Sequence, residues 1–156
     1  VRRLNFAYRE LGGRRPPPRA PTLIEELNEV VPAVAKEMGT EPRRLLLGGR
    51  SMGGRMCSMA VAEGLPAAGL VLLSYPLHPP GKPEKLRVDH FPALKVPCLF
   101  VSGDRDPFGK PGEWDRHLDT VSGKVSFTWL EGDAHDPKKN DDLLVDTVDR
   151  WVKDRR

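Results

Sequence analysis

The pentapeptide Gly49-Arg50-Ser51-Met52-Gly53 joins an apolar run to a helical stretch, and this junction restricts the fold more than any other feature. The apolar run covers residues 44–48, and the helical stretch covers 52–63 and is closed by Gly64. A strand, a sharp glycine-flanked turn and a helix predict a nucleophile elbow, which holds the serine hydroxyl clear of the sheet in a strained backbone conformation. A Cβ two residues to either side of the serine is expected to collide where strand and helix pass closely. A phosphate-binding turn is less favoured, because the segment contains neither GxGxxG nor GxxxxGKS/T.

Apolar runs of about five to seven residues alternate with helical segments along the chain. Four of these runs predict strands, at roughly 44–49, 69–75, 97–102 and 124–130. Such alternation is typical of βαβ units and predicts a mostly parallel sheet with helices on both faces, a three-layer α/β/α sandwich. With 156 residues, the chain is expected to form a single domain over 1–156.

Two helices are predicted outside this junction. Thr22 and Glu25 match a capping box at the start of the first, which ends at Gly39. Pro32 lies inside this pattern and is expected to kink or split the helix, because it cannot donate to the carbonyl of Asn28. The second helix, over about 141–153, is expected to dock one apolar face against the sheet. That face comprises Leu143, Leu144, Val148, Trp151 and Val152.

A serine becomes a good nucleophile only with a base beside it, and the base needs an acid to orient it. An acidic loop follows the run that ends near residue 102, and a loop with a histidine follows the run that ends at 130. Because parallel strands gather their carboxyl ends at one edge, Ser51, Asp106 and His135 are the predicted constellation. Asp106 is favoured over Asp104 as the acid, and both could instead form a turn. The other three histidines, His78, His90 and His117, are expected to be structural or solvated.

Several segments of this chain resemble a known family. They are 5–10, 48–55, 72–83 and 101–109. They resemble the dienelactone-hydrolase-like branch of the α/β-hydrolases, in particular the predicted hydrolases related to the third subunit of the animal NSL chromatin complex. The resemblance implies that Ser51 is the nucleophile, Asp106 the acid and His135 the base.

The N-terminal part departs from this family pattern. Residues 2–6 look like the family's fourth strand, and the strand, loop and helix that normally surround that position are absent. The absent loop normally donates one N–H of the oxyanion hole, and the other donor, the N–H of Met52, is retained. Losing one donor typically costs about a hundred- to a thousand-fold in turnover. Val1 in place of Met indicates either a non-standard start codon or an excised fragment. In a complete chain, residues 2–6 are expected to lie beside the elbow strand; otherwise the exposed edge favours a homodimer.

Composition narrows the possible partners. The chain is 38% hydrophobic and 30% charged, its mean hydropathy is −0.46, and no apolar run approaches the 18 or so residues of a membrane span. A net charge of +3 without basic residues interleaved with aromatics argues against nucleic acid. Cys57 and Cys98 are expected to be small buried hydrophobes in a cytoplasmic protein. No metal and no organic cofactor are expected, because His and Cys lack ligand spacing.

The predicted function is hydrolysis of an ester, thioester or lactone through an acyl-enzyme. Arg50 is expected either to be solvated or to meet an anionic substrate, and Arg55 is expected to be solvated. Tyr75, at a strand end, is a candidate for lining the site, and the proline-rich stretch 76–95 is expected to form a lid or pocket wall. Two alternatives remain, a non-catalytic interaction module and an incomplete, inactive hydrolase. The triad does not decide among ester, thioester and lactone, which depend on pocket shape.

Overall fold

A four-stranded parallel sheet forms the centre of the protein. The structure is a computed structural model, and it describes residues 1–12 and 16–155. The strands are β1 (Leu46–Arg50), β2 (Gly69–Leu73), β3 (Cys98–Gly103) and β4 (Val125–Leu130). They lie side by side in chain order, and each neighbouring pair is parallel. All four predicted strands are therefore confirmed, with bounds that differ by at most two residues.

Helices connect and cover these strands. They are α1 (Ala7–Glu10), α2 (Ala20–Glu37), α3 (Met52–Ala62), α4 (Pro111–Trp114) and α5 (Asp141–Lys153). Single 3-10 turns occupy Pro42–Arg44, Phe91–Ala93 and Leu118–Thr120. Among the described residues, no helix combines the length and the apolar character that crossing a membrane requires.

Side chains of the strands alternate between two hydrophobic clusters, one on each face of the sheet. Leu70, Leu72 and Phe100 belong to the cluster that contains Cys57 of α3. Leu99 and Val101 belong to the opposite cluster, where Trp151 of α5 packs. Because successive residues of a strand point to opposite faces, helices on both faces explain why β2 and most of β3 are apolar on both sides. The predicted three-layer α/β/α arrangement is confirmed.

Helix α2 lies against α3 and differs from the prediction in two ways. It begins at Ala20 with Arg19 as the N-cap and no side-chain cap bond, so Thr22 lies inside the helix and forms no capping box. It also continues through Pro32 without a break. Pro32 is exposed, whereas Ile24 and Val31 pack against α3. Burial of that apolar face compensates for the backbone bond that proline removes.

The N-terminal segment lies beside α2 and not beside the sheet, so the expectation of a strand at 2–6 is wrong. Residues 1–6 have no regular secondary structure, and Arg2 pairs with Glu37 of α2 at 3.6 Å. The N–H of Ala7 donates to Glu26 Oε1 at 2.7 Å. The outer edge of β1 therefore has no strand partner within the described residues.

Helix α5 docks on the sheet through most of its predicted face. Leu144, Val148, Trp151 and Val152 pack in the cluster on that side, whereas Leu143 is 46% exposed. The apolar stripe follows residues 144, 148 and 151–152 at helical spacing, and Leu143 lies about 100° away around the helix axis. Including Leu143 in this face was therefore wrong.

The two cysteines are free and buried, as predicted. Burial raises the pKa of the Cys57 thiol to about 11 and that of Cys98 to about 12. Both thiols therefore remain protonated and behave as small hydrophobic side chains.

Candidate active site

Ser51 lies at a strained turn between β1 and α3. Its backbone angles are φ 50° and ψ −120°, a conformation that side-chain-bearing residues rarely adopt. The turn is held by the Ser51 N–H, which donates to the carbonyl of Leu73 at 2.8 Å. The surrounding strand and helix therefore impose this geometry, which presents the hydroxyl at the carboxyl edge of the sheet.

Close approach of strand and helix requires glycine at two positions, but only one is a glycine of the pentapeptide. A Cβ on Gly49 would lie 2.8 Å from the backbone of both Gly53 and Gly54. A Cβ on Gly54 would lie 2.5 Å from the carbonyl oxygen of Gly49, whereas one on Gly53 would meet nothing within 4 Å. The expectation that both flanking glycines are sterically required is thus wrong for Gly53. The following Gly54, one position further along the helix, has that role.

The structure brings Ser51, Asp106 and His135 into one hydrogen-bonded line. His135 Nε2 lies 2.8 Å from Ser51 Oγ, and His135 Nδ1 lies 2.8 Å from Asp106 Oδ2. A carboxylate only accepts hydrogen bonds, so the Nδ1–H donates to Asp106 and Nε2 is left to accept from the serine hydroxyl. The three side chains follow β1, β3 and β4, whose carboxyl ends meet at one edge. This arrangement can remove a proton from a serine.

The acid has a fixed orientation because both of its oxygens have partners. Asp106 is 1% exposed, and its Oδ1 accepts the N–H of Phe108 at 2.8 Å. The Phe108 ring stacks on His135 with 4.1 Å between centroids. Asp104, the alternative acid, instead accepts the N–H of Gly132 at 2.7 Å and connects the two loops. The structure thus places Asp106, and not Asp104, beside the histidine.

Asp133 organises the loop that carries His135, and sequence reasoning missed it. Its carboxylate is 3% exposed and accepts the N–H groups of Lys138, Lys139 and Asn140 at 3.0, 3.0 and 3.1 Å. The Asn140 side chain donates to it as well, at 2.8 Å. The Lys138 N–H, with the other three donors, lowers the Asp133 pKa to about 2. The only sequence signal was its position two residues before His135.

Arg50 lies beside the same loop, and its side chain pairs with residues of that loop. Its Nη1 pairs with Asp136 Oδ1 at 2.7 Å, and its Nη2 donates to the His135 carbonyl at 3.3 Å. The Arg50 guanidinium was predicted either to be solvated or to meet a substrate. It instead binds the Asp136 carboxylate and the His135 carbonyl of the same chain. Arg50 therefore orients the loop of His135.

A cavity of about 320 Å³ opens beside Ser51. Met52, Arg55 and Met56 of α3 line it, together with Pro76, Arg87 and Phe108. The predicted role of segment 76–95 as a pocket wall is supported by Pro76 and Arg87. Arg55, expected to be solvated, was missed as a cavity residue, although it follows Ser51 by one helical turn on the same face. Arg87 carried no sequence signal.

Tyr75 is a core residue and not one of the groups that line this cavity. It is 1% exposed, and its ring packs against Phe91, Phe100 and Trp114. Its hydroxyl donates to the carbonyl of Arg87 at 2.7 Å. This hydrogen bond fixes the backbone of Arg87, a residue that lines the cavity.

The remaining histidines lie outside the line of Ser51, Asp106 and His135. His78 is buried with Nδ1 2.8 Å from the Pro79 carbonyl, and His90 Nε2 lies 2.8 Å from Ser58 Oγ. His117 precedes a 3-10 turn. Within 1–12 and 16–155, no group of three or more His, Cys, Asp or Glu side chains is arranged to hold a metal ion.

The backbone N–H of Met52 is a candidate donor to an oxygen atom held beside Ser51. Met52 is the first residue of α3, so its N–H has no partner inside the helix. The segment across the cavity contributes Pro17 and Pro18, which have no N–H to donate. The second donor that such sites use therefore does not come from these two residues.

Comparison with known proteins gives the family and the fold. Residues 1–151 match the family described as "Alpha/beta hydrolase domain". Three solved structures are similar: the F65L variant of SOBER1 from Arabidopsis thaliana, a carboxylesterase from Bacillus cereus and a monoacylglycerol lipase from Paleococcus ferrophilus. Their identities are 20%, 17% and 14%, and their TM-scores are 0.57, 0.64 and 0.68.

The alignments cover most of this chain but a smaller share of each similar structure. The alignments cover 85%, 88% and 85% of this chain but 64%, 62% and 76% of the respective neighbours. This chain thus spans less than two thirds of the SOBER1 variant and of the carboxylesterase. At these identities the likeness shows the fold.

Proposed function

Since this chain belongs to the alpha/beta hydrolase domain family, we propose that it is a serine hydrolase that cleaves an ester, thioester or lactone bond. The observation that carries the proposal is the line of two 2.8 Å contacts from Ser51 through His135 to Asp106. Two similar structures are named as a carboxylesterase and a monoacylglycerol lipase, but their low identity supports only the fold. The proposed bond class rests on the chemistry of the site.

In the proposed acylation, Ser51 Oγ attacks the substrate carbonyl carbon while its proton passes to His135 Nε2. The Ser51–carbon bond forms, and the carbonyl electron pair moves onto oxygen, where the Met52 N–H donates to it. When the carbonyl reforms, the bond to the leaving oxygen or sulfur breaks, and the imidazolium returns the proton to that atom. Asp106 stays ionised and holds the Nδ1–H tautomer throughout.

Deacylation repeats these steps with water. His135 takes a proton from water, the hydroxide adds to the acyl carbon, and the Ser51 ester bond breaks as the proton returns to Oγ. An ester yields a carboxylic acid and an alcohol, and a thioester yields a carboxylic acid and a thiol. A lactone yields a single product, a hydroxy acid.

A fluorophosphonate probe tests the proposal directly. It labels a serine only when a base activates it, so mass spectrometry should find the adduct on Ser51 of the wild-type chain. Ser51→Ala should abolish labelling, and His135→Ala should reduce it to background. Circular dichroism melts of each variant provide the control that the fold persists. A wild-type chain that unfolds cooperatively but takes no label would overturn the proposal.

A further inference from the structure

Two arginines, Arg55 and Arg87, line the cavity beside Ser51, and neither has an acidic partner among the described residues. Within residues 1–12 and 16–155, no Asp or Glu forms an ion pair with either guanidinium. The Nε of Arg55 is buried and forms no hydrogen bond with any described residue. A buried charged donor without an acceptor is costly, so its retention in a cavity points to a ligand that supplies the acceptor.

The two guanidinium groups are close enough to affect each other. Burial, followed by the charge of Arg55, lowers the pKa of Arg87. Burial and then the charge of Arg55 also lower the pKa of His90 to about 4, so His90 is neutral at physiological pH. Like charges kept together in a partly buried place destabilise the empty site and favour an anion in it.

Neighbouring polar groups do not neutralise this pair. The Ser58 hydroxyl donates to the Arg55 carbonyl at 2.8 Å, so it can only accept at its 2.8 Å contact with His90 Nε2, which therefore carries the hydrogen. The Tyr75 hydroxyl donates to the Arg87 carbonyl, and burial keeps it protonated by raising its pKa. Asp89, the acid next to His90, is exposed. The positive charge of the cavity is therefore left for a bound molecule.

We propose that Arg55 and Arg87 form a subsite for an anionic oxygen group, a carboxylate or a phosphate, carried by the substrate whose ester bond Ser51 attacks. A guanidinium offers paired N–H donors that match the oxygens of either group. Arg55 lies one helical turn beyond Ser51, a rise of about 6 Å, so a spacer of a few carbon atoms separates the acid from the ester. The rest of the lining is largely apolar and includes Leu23, Met52 and Met56. The inference rests on the proposed hydrolase function.

The size of the cavity indicates which anionic esters are the best candidate substrates. Its volume of about 320 Å³ lies at the low end of the range for small-molecule sites. A short acyl chain fits within this volume. The predicted substrates are therefore small monoesters of dicarboxylic acids or their phosphate-bearing counterparts.

The test compares two esters that differ only in charge, monomethyl glutarate and its neutral amide isostere methyl glutaramate. The wild-type chain is expected to hydrolyse the anionic ester with a kcat/KM about 10- to 100-fold higher, because a guanidinium donates stronger hydrogen bonds to a carboxylate than to a neutral amide oxygen. Arg55→Gln and Arg87→Gln should each reduce this ratio strongly. Arg116→Gln is the matched control, since Arg116 is exposed and does not line the cavity.

Methyl 4-phosphonobutanoate carries a phosphonate in place of a phosphate, and its kcat/KM relative to that of the glutarate distinguishes the two kinds of anion. Equal hydrolysis of the charged and neutral esters by wild type would overturn the subsite and leave the hydrolase standing. An equal fall of the ratio in Arg116→Gln would overturn it too, because the effect would then come from overall charge.

Binding measurements separate failure of the subsite from failure of the hydrolase. If Ser51 takes no label and neither ester is cleaved, calorimetric titration of Ser51→Ala with glutarate still reports on the arginines. Binding that is lost in the Ser51→Ala/Arg55→Gln and Ser51→Ala/Arg87→Gln double variants supports the subsite without any turnover. Absence of binding to the folded Ser51→Ala chain overturns it.

Discussion

Arg50 Nη1 lies 2.7 Å from Asp136 Oδ1, so the residue before Ser51 is paired with the residue after His135. The pair joins the last residue of β1 to the loop that follows β4, two strands that share no backbone ladder. A second contact, from Arg50 Nη2 to the His135 carbonyl, reinforces it. The distance between the proposed nucleophile and base therefore depends on a contact at the surface.

We expect Arg50→Met and Asp136→Asn each to lower kcat/KM about two- to fivefold, mainly through kcat. Both side chains are about half exposed, at 48% and 55%, and such ion pairs are worth about 0.2–1 kcal/mol. A double-mutant cycle measures the coupling, and the double variant should be little worse than either single one. Fully additive losses would show that the pair does not position His135.

Asp106→Asn should reduce turnover about a thousand- to ten-thousand-fold while the fold persists. An amide at this position can donate to His135 Nδ1, which favours the tautomer with its hydrogen on Nε2 and prevents that atom from accepting the serine proton. Steady-state kinetics on a short-chain ester measure the loss. Asp104→Asn is the matched comparison. An equally large loss of turnover in that variant would show that Asp106 is not the residue that orients His135.

Gly54→Ala should destabilise the protein by about 1–3 kcal/mol, because its Cβ would meet the Gly49 carbonyl at 2.5 Å. Gly53→Ala is the matched control, since its Cβ meets nothing within 4 Å, and alanine should stabilise the helix by about 0.5–1 kcal/mol. Urea unfolding of both variants measures the difference. Equal stability of the two would show that strand β1 and helix α3 are less closely packed than the structure has them.

Asp133 should make stability depend on pH in the acid range. Its pKa is about 2 in the folded protein and near 3.8 in the unfolded chain, so the unfolded state binds the proton first as pH falls. The contribution is fully present above about pH 4 and is lost as the pH falls through about 2. Melting temperatures of wild type and Asp133→Asn should differ at pH 7 and converge towards pH 2. A difference that stays constant with pH would contradict this role.

Local patterns predicted most of the fold and the candidate catalytic residues. The four strands and the junction around Ser51 follow from short apolar runs and helical periodicity, which depend only on neighbouring residues. Asp106 and His135 could be predicted because parallel strands deliver their carboxyl ends to one edge whatever packs elsewhere. The prediction of a strand at 2–6 was wrong, because this segment could pack against either β1 or α2, and both lie far from it in the sequence. Contacts with Glu26 and Glu37 of α2 decided that choice.

The sequence by itself determined which residues are candidates for the chemistry: a serine in a strand-turn-helix junction, followed in order by an acid and a histidine. Only the tertiary structure decided what surrounds them. It turned Arg50 towards the loop of His135, buried Tyr75 under the cavity and placed Arg55 and Arg87 in its wall. The physical reason is range. Periodicity and turn chemistry act over a few residues, whereas the direction of a long charged side chain depends on acceptors brought close by distant segments.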